Sequence, residues 1–394
     1  MDSGKSKKKK ILFISDITFA HTIGGTEVAT ARLLNGLSED GTYEIYLFSG
    51  TPKDGQRSLE PDSRIHITEF PLYPAPGDKG FNNFVIANPF QISKLIKEIA
   101  PDIVHVHNPS IFSLMSIRVA RKYRIPLVYT NHIFAEHFVP SIKTWKQKQS
   151  RKIVDWFFQK YMGLFDGIAY PSQIQRESIL SKYRLKNTSV VISNGFLPFG
   201  EDVEVQKPES WKGKTLFFTI SRLSVEKNIP IIIDAFEELW KQYSEILLVI
   251  VGDGIIYDDL VEYARTKDSH CSIIFTGEKR GEELAKYYKM GDVFVSASSK
   301  ESEGLTTLEA VSFGKPIILT DAQENAARQF VQGNGLLFLD GHSDDLVQKM
   351  TQYVTNPILI ETHGKKSLQI REDYRFSYSL EKYKDFYETY LLKK

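Results

Sequence analysis

The chain has 394 residues, enough for two or three globular domains, and 50 Lys and Arg nearly balance 49 Asp and Glu, leaving a formal charge of +1. This balance gives no electrostatic argument for a nucleic-acid partner. A single cysteine, Cys271, excludes an intramolecular disulfide and a Cys-rich metal site, and the longest apolar runs are far shorter than the ~20 residues that span a bilayer.

The chain opens with a basic segment, and we expect residues 1–9 to form a disordered leader. It is not followed by a long apolar region with a small-residue cleavage site, so the sequence predicts a cytoplasmic protein. Short β-branched runs then alternate with amphipathic stretches, which is typical of parallel βαβ units. The strands predicted in the first half are Ile11–Ser15, Glu44–Phe48, Ile65–Ile67, Ile103–His105, Leu127–Thr130, Gly167–Ala169 and Ser189–Ile192.

Glycine and histidine residues follow these predicted strands at what should be one edge of the sheet. Gly24 and Gly25 lie in the loop after the first strand, where paired glycines allow close approach of the backbone to a phosphate or a sugar, although a tight turn explains them equally well. His105 and His107 belong to one strand end, and His132 follows another. A lone histidine is more often a structural hydrogen-bonding residue, but two equivalent strand ends favour a functional site.

Residues 141–165 interleave cations with large aromatic side chains. This pattern is typical of a helix that binds an anionic membrane surface, where each basic residue contributes about 1 kcal/mol. The alternative is an ordinary amphipathic helix with its aromatic residues in the core and its lysines in solvent. The candidate membrane-binding residues are Lys143, Trp145, Lys146, Lys148, Arg151 and Lys152.

A segment rich in Pro, Gly and acidic residues separates the two halves of the chain. We therefore predict a first domain over residues 1–195, a linker over 196–212, a second domain over 213–370 and an aromatic-rich terminal helix over 371–394. The strands predicted in the second domain are Thr215–Ile220, Ile246–Val251, Ser272–Phe275, Val293–Ser296, Pro316–Leu319 and Gly335–Phe338.

Two cations follow the first strand of the second domain. Arg222 offers a planar fork of N–H donors and Lys227 a mobile point charge, and together these groups can hold a diphosphate. An Arg and a Lys in a loop are usually solvated, but a position at the carboxyl end of a parallel strand favours a ligand-binding role.

The segment from Val293 to Gly314 predicts a strand, a polar loop and a helix with Leu305 and Leu308 on its inner face. The backbone N–H groups of Gly304, Leu305 and Thr306 at the start of this helix suit an anion such as pyrophosphate. Two carboxylates, Glu301 and Glu309, bracket that position. The alternative is that Glu301 and Glu303 are solvated loop acids and that Glu309 is a surface residue of the helix.

Taken together and in this order, several motifs resemble the retaining glycosyltransferases of family 4, which have the GT-B architecture of two facing Rossmann-like, doubly wound domains. The resemblance covers nearly the whole chain. It rests on Gly24-Gly25, Asn194-Gly195, Ser221-Arg222-Leu-Ser-Val-Glu-Lys227, Val251-Gly252-Asp253-Gly254, Phe275-Thr-Gly277 and Glu301-x7-Glu309.

This resemblance implies a role for each candidate residue. Glu309 would bind the ribose hydroxyls of a nucleotide, and Glu301 the hydroxyls of the donor sugar. Arg222 and Lys227 would hold the diphosphate. His132 would line the acceptor side near the anomeric carbon, and the terminal helix would cross back onto the first domain.

The implied activity is transfer of a hexose, with retention of configuration, from a nucleotide-diphosphate sugar (a UDP-sugar favoured) to an acceptor hydroxyl. We expect the acceptor to be a membrane lipid such as diacylglycerol. We therefore expect the enzyme to be peripheral at the inner face of the membrane. No Asp-x-Asp motif occurs in the sequence. We expect neither a cofactor nor a metal, because the two cations and the helix dipole can stabilise the departing diphosphate.

Other activities are open on the same residues. The acceptor could be a soluble sugar, a polysaccharide or a protein, and a sugar-nucleotide epimerase can share this architecture. A hydrolase that uses Glu301 and Glu309 leaves the Arg/Lys pair unexplained. A nucleotide-binding module without catalysis is a further alternative.

Two departures from the family leave contacts undefined. Residues 320–327 replace a glycine-rich loop with a Pro-Glu pair, and the loop after Glu301 lacks the aromatic residue common in relatives.

Overall fold

A computed structural model describes residues 8–16, 19, 24–51, 57, 59–74, 83–134 and 145–392. Contacts divide the chain into two compact units. The first unit comprises Met1–Asn194 together with Ser379–Lys394, and the second comprises Gly195–Tyr378. Each unit contains a parallel sheet between helices, which confirms the doubly wound α/β fold predicted from the sequence.

The strands of the first unit are β1 (Lys9–Ile14), β2 (Tyr43–Gly50), β3 (His66–Phe70), β4 (Leu72–Pro74), β5 (Asn83–Val85), β6 (Ile103–Val106), β7 (Leu127–Thr130), β8 (Gly167–Tyr170) and β9 (Thr188–Val191). Its helices before the second unit are α1 (Gly25–Asp40), α2 (Pro89–Ile99), α3 (Ile111–Lys122), α4 (Trp145–Met162) and α5 (Gln173–Lys182). The parallel sheet has the order β3-β2-β1-β6-β7-β8-β9, and β4 and β5 form a separate antiparallel pair.

Strand β1 lies inside this sheet, between β2 and β6, and its second half is buried on both faces. Leu12 and Ile14 belong to the apolar cluster on one face, and Ile11 and Phe13 to the cluster on the other. The strand begins at Lys9, inside the segment predicted as a disordered leader. The prediction is wrong at Lys9, because the strand has already begun there. The neighbouring Lys10 backbone N–H donates to Asp102 Oδ2 at 3.0 Å and holds the start of the strand. Residues 1–7 lie outside the described residues.

The strands of the second unit are β10 (Thr215–Ile220), β11 (Ile246–Val251), β12 (Ile273–Phe275), β13 (Val293–Ser296), β14 (Lys300–Glu301), β15 (Ile317–Thr320), β16 (Glu324–Asn325) and β17 (Gly335–Phe338). The helices that follow α5 are α6 (Ile229–Trp240), α7 (Tyr257–Arg265), α8 (Gly281–Met290), α9 (Leu305–Ser312), α10 (Ser343–Thr355), α11 (Ile358–Ile370) and α12 (Phe376–Leu391). The main sheet has the order β12-β11-β10-β13-β15-β17.

The terminal helix α12 returns to the first unit, as predicted. Its buried aromatic residues recur at helical spacing and join the same apolar cluster as Ile11 and Phe13 of β1. These aromatic residues are Tyr383, Phe386, Tyr387 and Tyr390. None of the helices in the described part of the chain is both long enough and apolar enough to cross a membrane.

Both sheets contain a point where the strand order reverses, between β1 and β6 in the first unit and between β10 and β13 in the second. Loops at the carboxyl ends of such adjacent strands diverge and leave room for a ligand. In the second unit these loops begin at Ser221 and Ala297, so they carry Arg222, Lys227 and Glu301.

Candidate active site

The two predicted cations lie in the loop that follows β10, and each is next to a carboxylate. Lys227 Nζ lies 2.6 Å from Glu301 Oε1, and the two side chains are only 17% and 19% exposed. Arg222 is 58% exposed, and its guanidinium lies 3.7 Å from Glu226 Oε1. The structure therefore joins Lys227 directly to Glu301 and leaves the Arg222 side chain accessible to a ligand.

Two glycines in the loop after β11 explain how the loop that carries Arg222 is held in place. A Cβ atom on Gly252, whose φ is +140°, would lie 1.9 Å from the carbonyl oxygen of Ser221, and one on Gly254 would lie 2.2 Å from that of Leu223. The Leu223 N–H donates to the carbonyl of Asp253 at 2.9 Å. The Val-Gly-Asp-Gly motif thus permits two backbones to touch and fixes the loop that presents Arg222.

Glu301 is fixed by a short parallel pairing of β14 with β16. Lys300 pairs with Glu324 and Glu301 with Asn325, and Lys300 Nζ lies 2.9 Å from Glu324 Oε2. The segment 320–327, in which the sequence departs from the resembling family, is therefore the neighbour of Glu301. Sequence reasoning left its contacts open, because two-residue strands have no recognisable hydrophobic period.

Helix α9 begins where it was predicted to begin. Gly304 has a φ of +90°, and a Cβ atom there would lie 2.5 Å from Ala327 Cβ, so both conformation and space require glycine. The N–H groups of Gly304, Leu305 and Thr306 form the first turn, whose N–H groups have no partners within the helix. Leu308 is fully buried, but Leu305 is only half-buried, which corrects the predicted inner face.

Glu309 lies one turn into α9 and is oriented by a residue that sequence reasoning missed. The hydroxyl of Tyr288 in α8 lies 2.8 Å from Glu309 Oε2, and burial raises the pKa of Tyr288 well above its usual value. The phenol therefore remains a hydrogen-bond donor. An aromatic residue on the apolar face of a helix looks the same in a sequence whether it fills a core or holds a carboxylate.

Acidic residues around α9 differ in burial. Glu303 is 1% exposed, so it is not the solvated loop acid of the alternative interpretation. Glu301 and Glu309 are half-buried. The second unit thus places Arg222, Lys227 and Glu301 on the adjacent loops of β10 and β13, and Glu309 in the helix that follows the second loop.

The paired glycines of the first unit lie at the start of α1. Gly25 is the first helical residue, and the Gly24 N–H donates to Glu27 Oε2 at 2.9 Å. A Cβ atom on Gly24 would lie 2.5 Å from that same oxygen. The close approach predicted for a ligand is made in this structure by the Glu27 carboxylate.

The three strand-end histidines form a buried cluster. His107 Nδ1 lies 3.1 Å from His132 Nε2, and the ring centroids of His105 and His107 are 4.2 Å apart. Burial holds the pKa of His132 at about 4 and holds the pKa values of His105 and His107 well below the usual histidine value. All three rings are therefore neutral at pH 7, which makes His132 a hydrogen-bonding group and not a cation.

Acidification from pH 6 to pH 4 should destabilise the protein through this cluster. In that window the unfolded histidines bind protons, at a pKa of 6.5, that the folded ones do not. Asp16 acts in the opposite sense, because burial raises its folded pKa to about 6 from 3.8. Three histidines against one aspartate leave a net uptake of protons by these four groups on unfolding, so the free energy of unfolding should fall as the pH falls through 5.

Urea unfolding at several pH values measures this slope. His107→Asn removes one titrating ring and should make the slope shallower. A free energy of unfolding that is flat between pH 6 and pH 4 would show that the buried histidines take up protons in the folded state.

Helix α4 only partly matches the predicted membrane surface. Lys143 lies outside the described residues, and of Trp145, Lys146 and Lys148 only the helical backbone is described. Arg151 is not a free cation, since its Nε lies 3.0 Å from Asp155 Oδ2. Lys152 is exposed.

The aromatic residues of α4 divide between the core and the surface. Phe158 and Tyr161 are buried, whereas Ile153, Trp156 and Phe157 are 67%, 63% and 41% exposed. Both the membrane-binding and the core-facing interpretations therefore describe part of this helix.

Comparison with solved structures identifies the fold. Anabaena Alr3699/HepE in complex with UDP and glucose superimposes with a TM-score of 0.74 at 16% identity, covering 97% of this chain and 100% of that one. WaaG, a glycosyltransferase of lipopolysaccharide biosynthesis, has a TM-score of 0.73 at 15% identity, covering 95% and 99%. The fold is that of the GT-B glycosyltransferases.

Sequence comparison identifies the family. Residues 23–196 match the model of Glycosyltransferase Family 4, and residues 201–371 match Glycosyl transferases group 1. Alpha-monoglucosyldiacylglycerol synthase of Streptococcus pneumoniae is 31% identical over 312 residues, which are 76% of this chain and 69% of that protein. The enzyme of the same name from Acholeplasma laidlawii is 26% identical over 360 residues, 88% of each chain. This chain belongs to the family 4 glycosyltransferases.

Proposed function

We propose that this protein is a retaining hexosyltransferase that moves glucose from a nucleotide-diphosphate sugar, UDP-glucose favoured, to diacylglycerol. The names of the two synthases support the sugar and the acceptor. HepE, with UDP and glucose bound, supports the donor class. The observation that carries the proposal is the 2.6 Å contact of Lys227 with Glu301, which joins the loop of β10 that carries the exposed Arg222 to the loop of β13 that leads into α9 and Glu309.

The residues of the second unit suit the parts of such a donor. Arg222 and the α9 N–H groups would bind the diphosphate, and Lys227 would bridge the diphosphate and Glu301. Glu301 would accept hydrogen bonds from the sugar hydroxyls. Glu309, oriented by Tyr288, would accept them from the ribose. The first unit, with His132, would bind the acceptor.

Transfer would then proceed on one face of the sugar without a protein nucleophile. The bond from the anomeric carbon to the diphosphate oxygen breaks, and the acceptor oxygen forms a bond on the same face. The acceptor proton passes to the departing diphosphate oxygen. Cations and helix N–H groups stabilise the charge that develops on that oxygen, so we propose that neither a metal nor a cofactor is needed.

A thermal-shift screen of UDP-, GDP- and ADP-sugars tests donor binding. The matching nucleotide should stabilise the native state by about 2.7 kcal/mol at 100 times its Kd. Glu309→Gln should weaken this shift. If none of the nucleotides stabilises the protein, the proposal is wrong. Consumption of the nucleotide sugar without any acceptor would favour the epimerase alternative, and binding without transfer would favour a nucleotide-binding module.

We also propose that the enzyme is peripheral on the cytoplasmic side of the membrane and docks through α4. Ile153, Trp156 and Phe157 recur at helical spacing and are exposed, and Lys152 and Lys160 are exposed beside them. Apolar side chains that enter the headgroup region, flanked by cations, are the features of an interfacial helix.

Co-sedimentation with vesicles should show binding that needs anionic lipid and weakens with salt. Changing Ile153 and Trp156 together to Ser should abolish most of it, as should changing Lys143, Lys146, Lys148, Arg151 and Lys152 to Ser. The matched control is Ile358→Ser, which alters an equally exposed isoleucine (72%) of α11. Unchanged sedimentation of the α4 variants would remove this helix from the proposal.

A further inference from the structure

Three side chains of the first unit form a short buried chain that ends at His132. The Oγ1 atom of Thr30 in α1 lies 3.1 Å from His107 Nδ1. The same nitrogen lies 3.1 Å from His132 Nε2. Because a hydroxyl has one proton and a neutral imidazole has one N–H, the direction of each hydrogen bond can be assigned.

The hydroxyl of Thr30 determines the first of these directions. This hydroxyl lies 2.7 Å from the carbonyl oxygen of Thr26, which can only accept, so the Thr30 proton points there. The Thr30 oxygen therefore offers a lone pair to His107. His107 Nδ1 must carry the proton that makes this contact a hydrogen bond.

The other nitrogen of His107 supports the same assignment independently. His107 Nε2 is fully buried and has no hydrogen-bond partner among the described residues. An N–H at that position would be a buried, unsatisfied donor, which proteins rarely leave unpaired. A lone pair there, with the proton on Nδ1, avoids that cost.

His132 is then determined by its neighbour. The one His107 Nδ1–H is shared between Thr30 Oγ1 and His132 Nε2, each 3.1 Å away, so a proton on His132 Nε2 would place two N–H groups against each other. Both rings are buried and neutral. The proton of His132 therefore resides on Nδ1, whereas a solvated histidine favours Nε2–H.

We infer that Thr30 and His107 are positioning residues that fix His132 as an Nδ1–H hydrogen-bond donor. Resting on the proposed function, the inference gives this N–H the task of donating to an oxygen of the bound substrate during transfer. His107 touches no substrate in this account and acts only through His132.

The tautomer can be measured without activity. Full-length protein labelled with ¹⁵N-histidine should show His132 with a protonated Nδ1 and an unprotonated Nε2, the signals being assigned by their loss in His132→Asn. In His107→Phe the Nε2–H form should become the major one. His107→Asn keeps an amide N–H at the position of Nδ1 and should retain the wild-type form. A wild-type His132 protonated on Nε2 overturns the inference whatever the activity.

Thr30 provides a second test if His107→Phe does not fold. Thr30→Val removes the accepting oxygen and should yield both tautomers of His132, whereas Thr30→Ser should keep one. A single Nδ1–H form in Thr30→Val would contradict the role of Thr30.

The rate readout separates the inference from the proposed function. His107→Phe should lower the kcat of transfer by roughly 10- to 100-fold with nucleotide affinity unchanged, and His107→Asn should recover most of it. An unchanged kcat in His107→Phe would overturn the positioning role. If the wild-type protein has the assigned tautomer but transfers no sugar, the proposed function fails and the tautomer assignment stands.

Discussion

Changing Arg222 and Lys227 together to alanine should lower the kcat of sugar transfer by at least about 10³-fold. Removing one preorganised donor from a developing oxyanion costs about 10²- to 10³-fold, and this variant removes two charged ones. Lys227→Ala also leaves Glu301 without the ammonium group that lies 2.6 Å from it. The sugar and the diphosphate would therefore both lose a positioning contact.

Two other cations of the second unit form the control. Arg265 and Lys365 are exposed and ion-paired with Glu262 and Glu361, so replacing both with alanine removes the same charge away from the site. This variant should keep wild-type kcat within about twofold. Equal rates in the two double variants would contradict the proposed diphosphate clamp.

Glu309→Gln and Glu301→Gln should both impair transfer strongly but by different routes. Glu309→Gln should weaken binding of free UDP, because the ribose loses a charged acceptor. Glu301→Gln should leave UDP affinity nearly unchanged and lower the rate of sugar transfer. Both residues are half-buried, so neither substitution should unfold the protein.

Calorimetric titration with UDP, combined with the transfer rate, separates these effects. Tyr288→Phe removes the hydroxyl that lies 2.8 Å from Glu309 and should weaken UDP binding by roughly 1 kcal/mol, a milder form of the Glu309 effect. Wild-type UDP affinity in Glu309→Gln, or a wild-type rate in Glu301→Gln, would contradict the corresponding assignment.

The two main sheets were predictable because their inner strands are buried on both faces. Every strand predicted for them is present, with ends displaced by at most three residues. A continuous apolar run such as Ile246–Val251 is typical of an inner strand of a parallel sheet. The pairs β4–β5 and β14–β16 were missed, since strands of two or three residues contain too little pattern.

Only those site residues that directly follow a strand could be predicted from the sequence. Arg222, Lys227 and Glu301 follow β10 and β13, which the sequence placed correctly. The Lys227–Glu301 contact joins residues 74 positions apart and depends on how two loops pack. The contact between Thr30 and His107 spans 77 positions, and no local pattern predicts it.

Transfer of labelled glucose from UDP-glucose to diacylglycerol in anionic vesicles, with EDTA present, is the direct test of a metal-independent lipid glucosyltransferase. We expect label in the extracted lipid, an α-glucosyl linkage by NMR, and the same rate after chelation. Label that stays water-soluble with every nucleotide sugar and acceptor offered, or lipid labelling that appears only when Mn²⁺ or Mg²⁺ is added back, would contradict it.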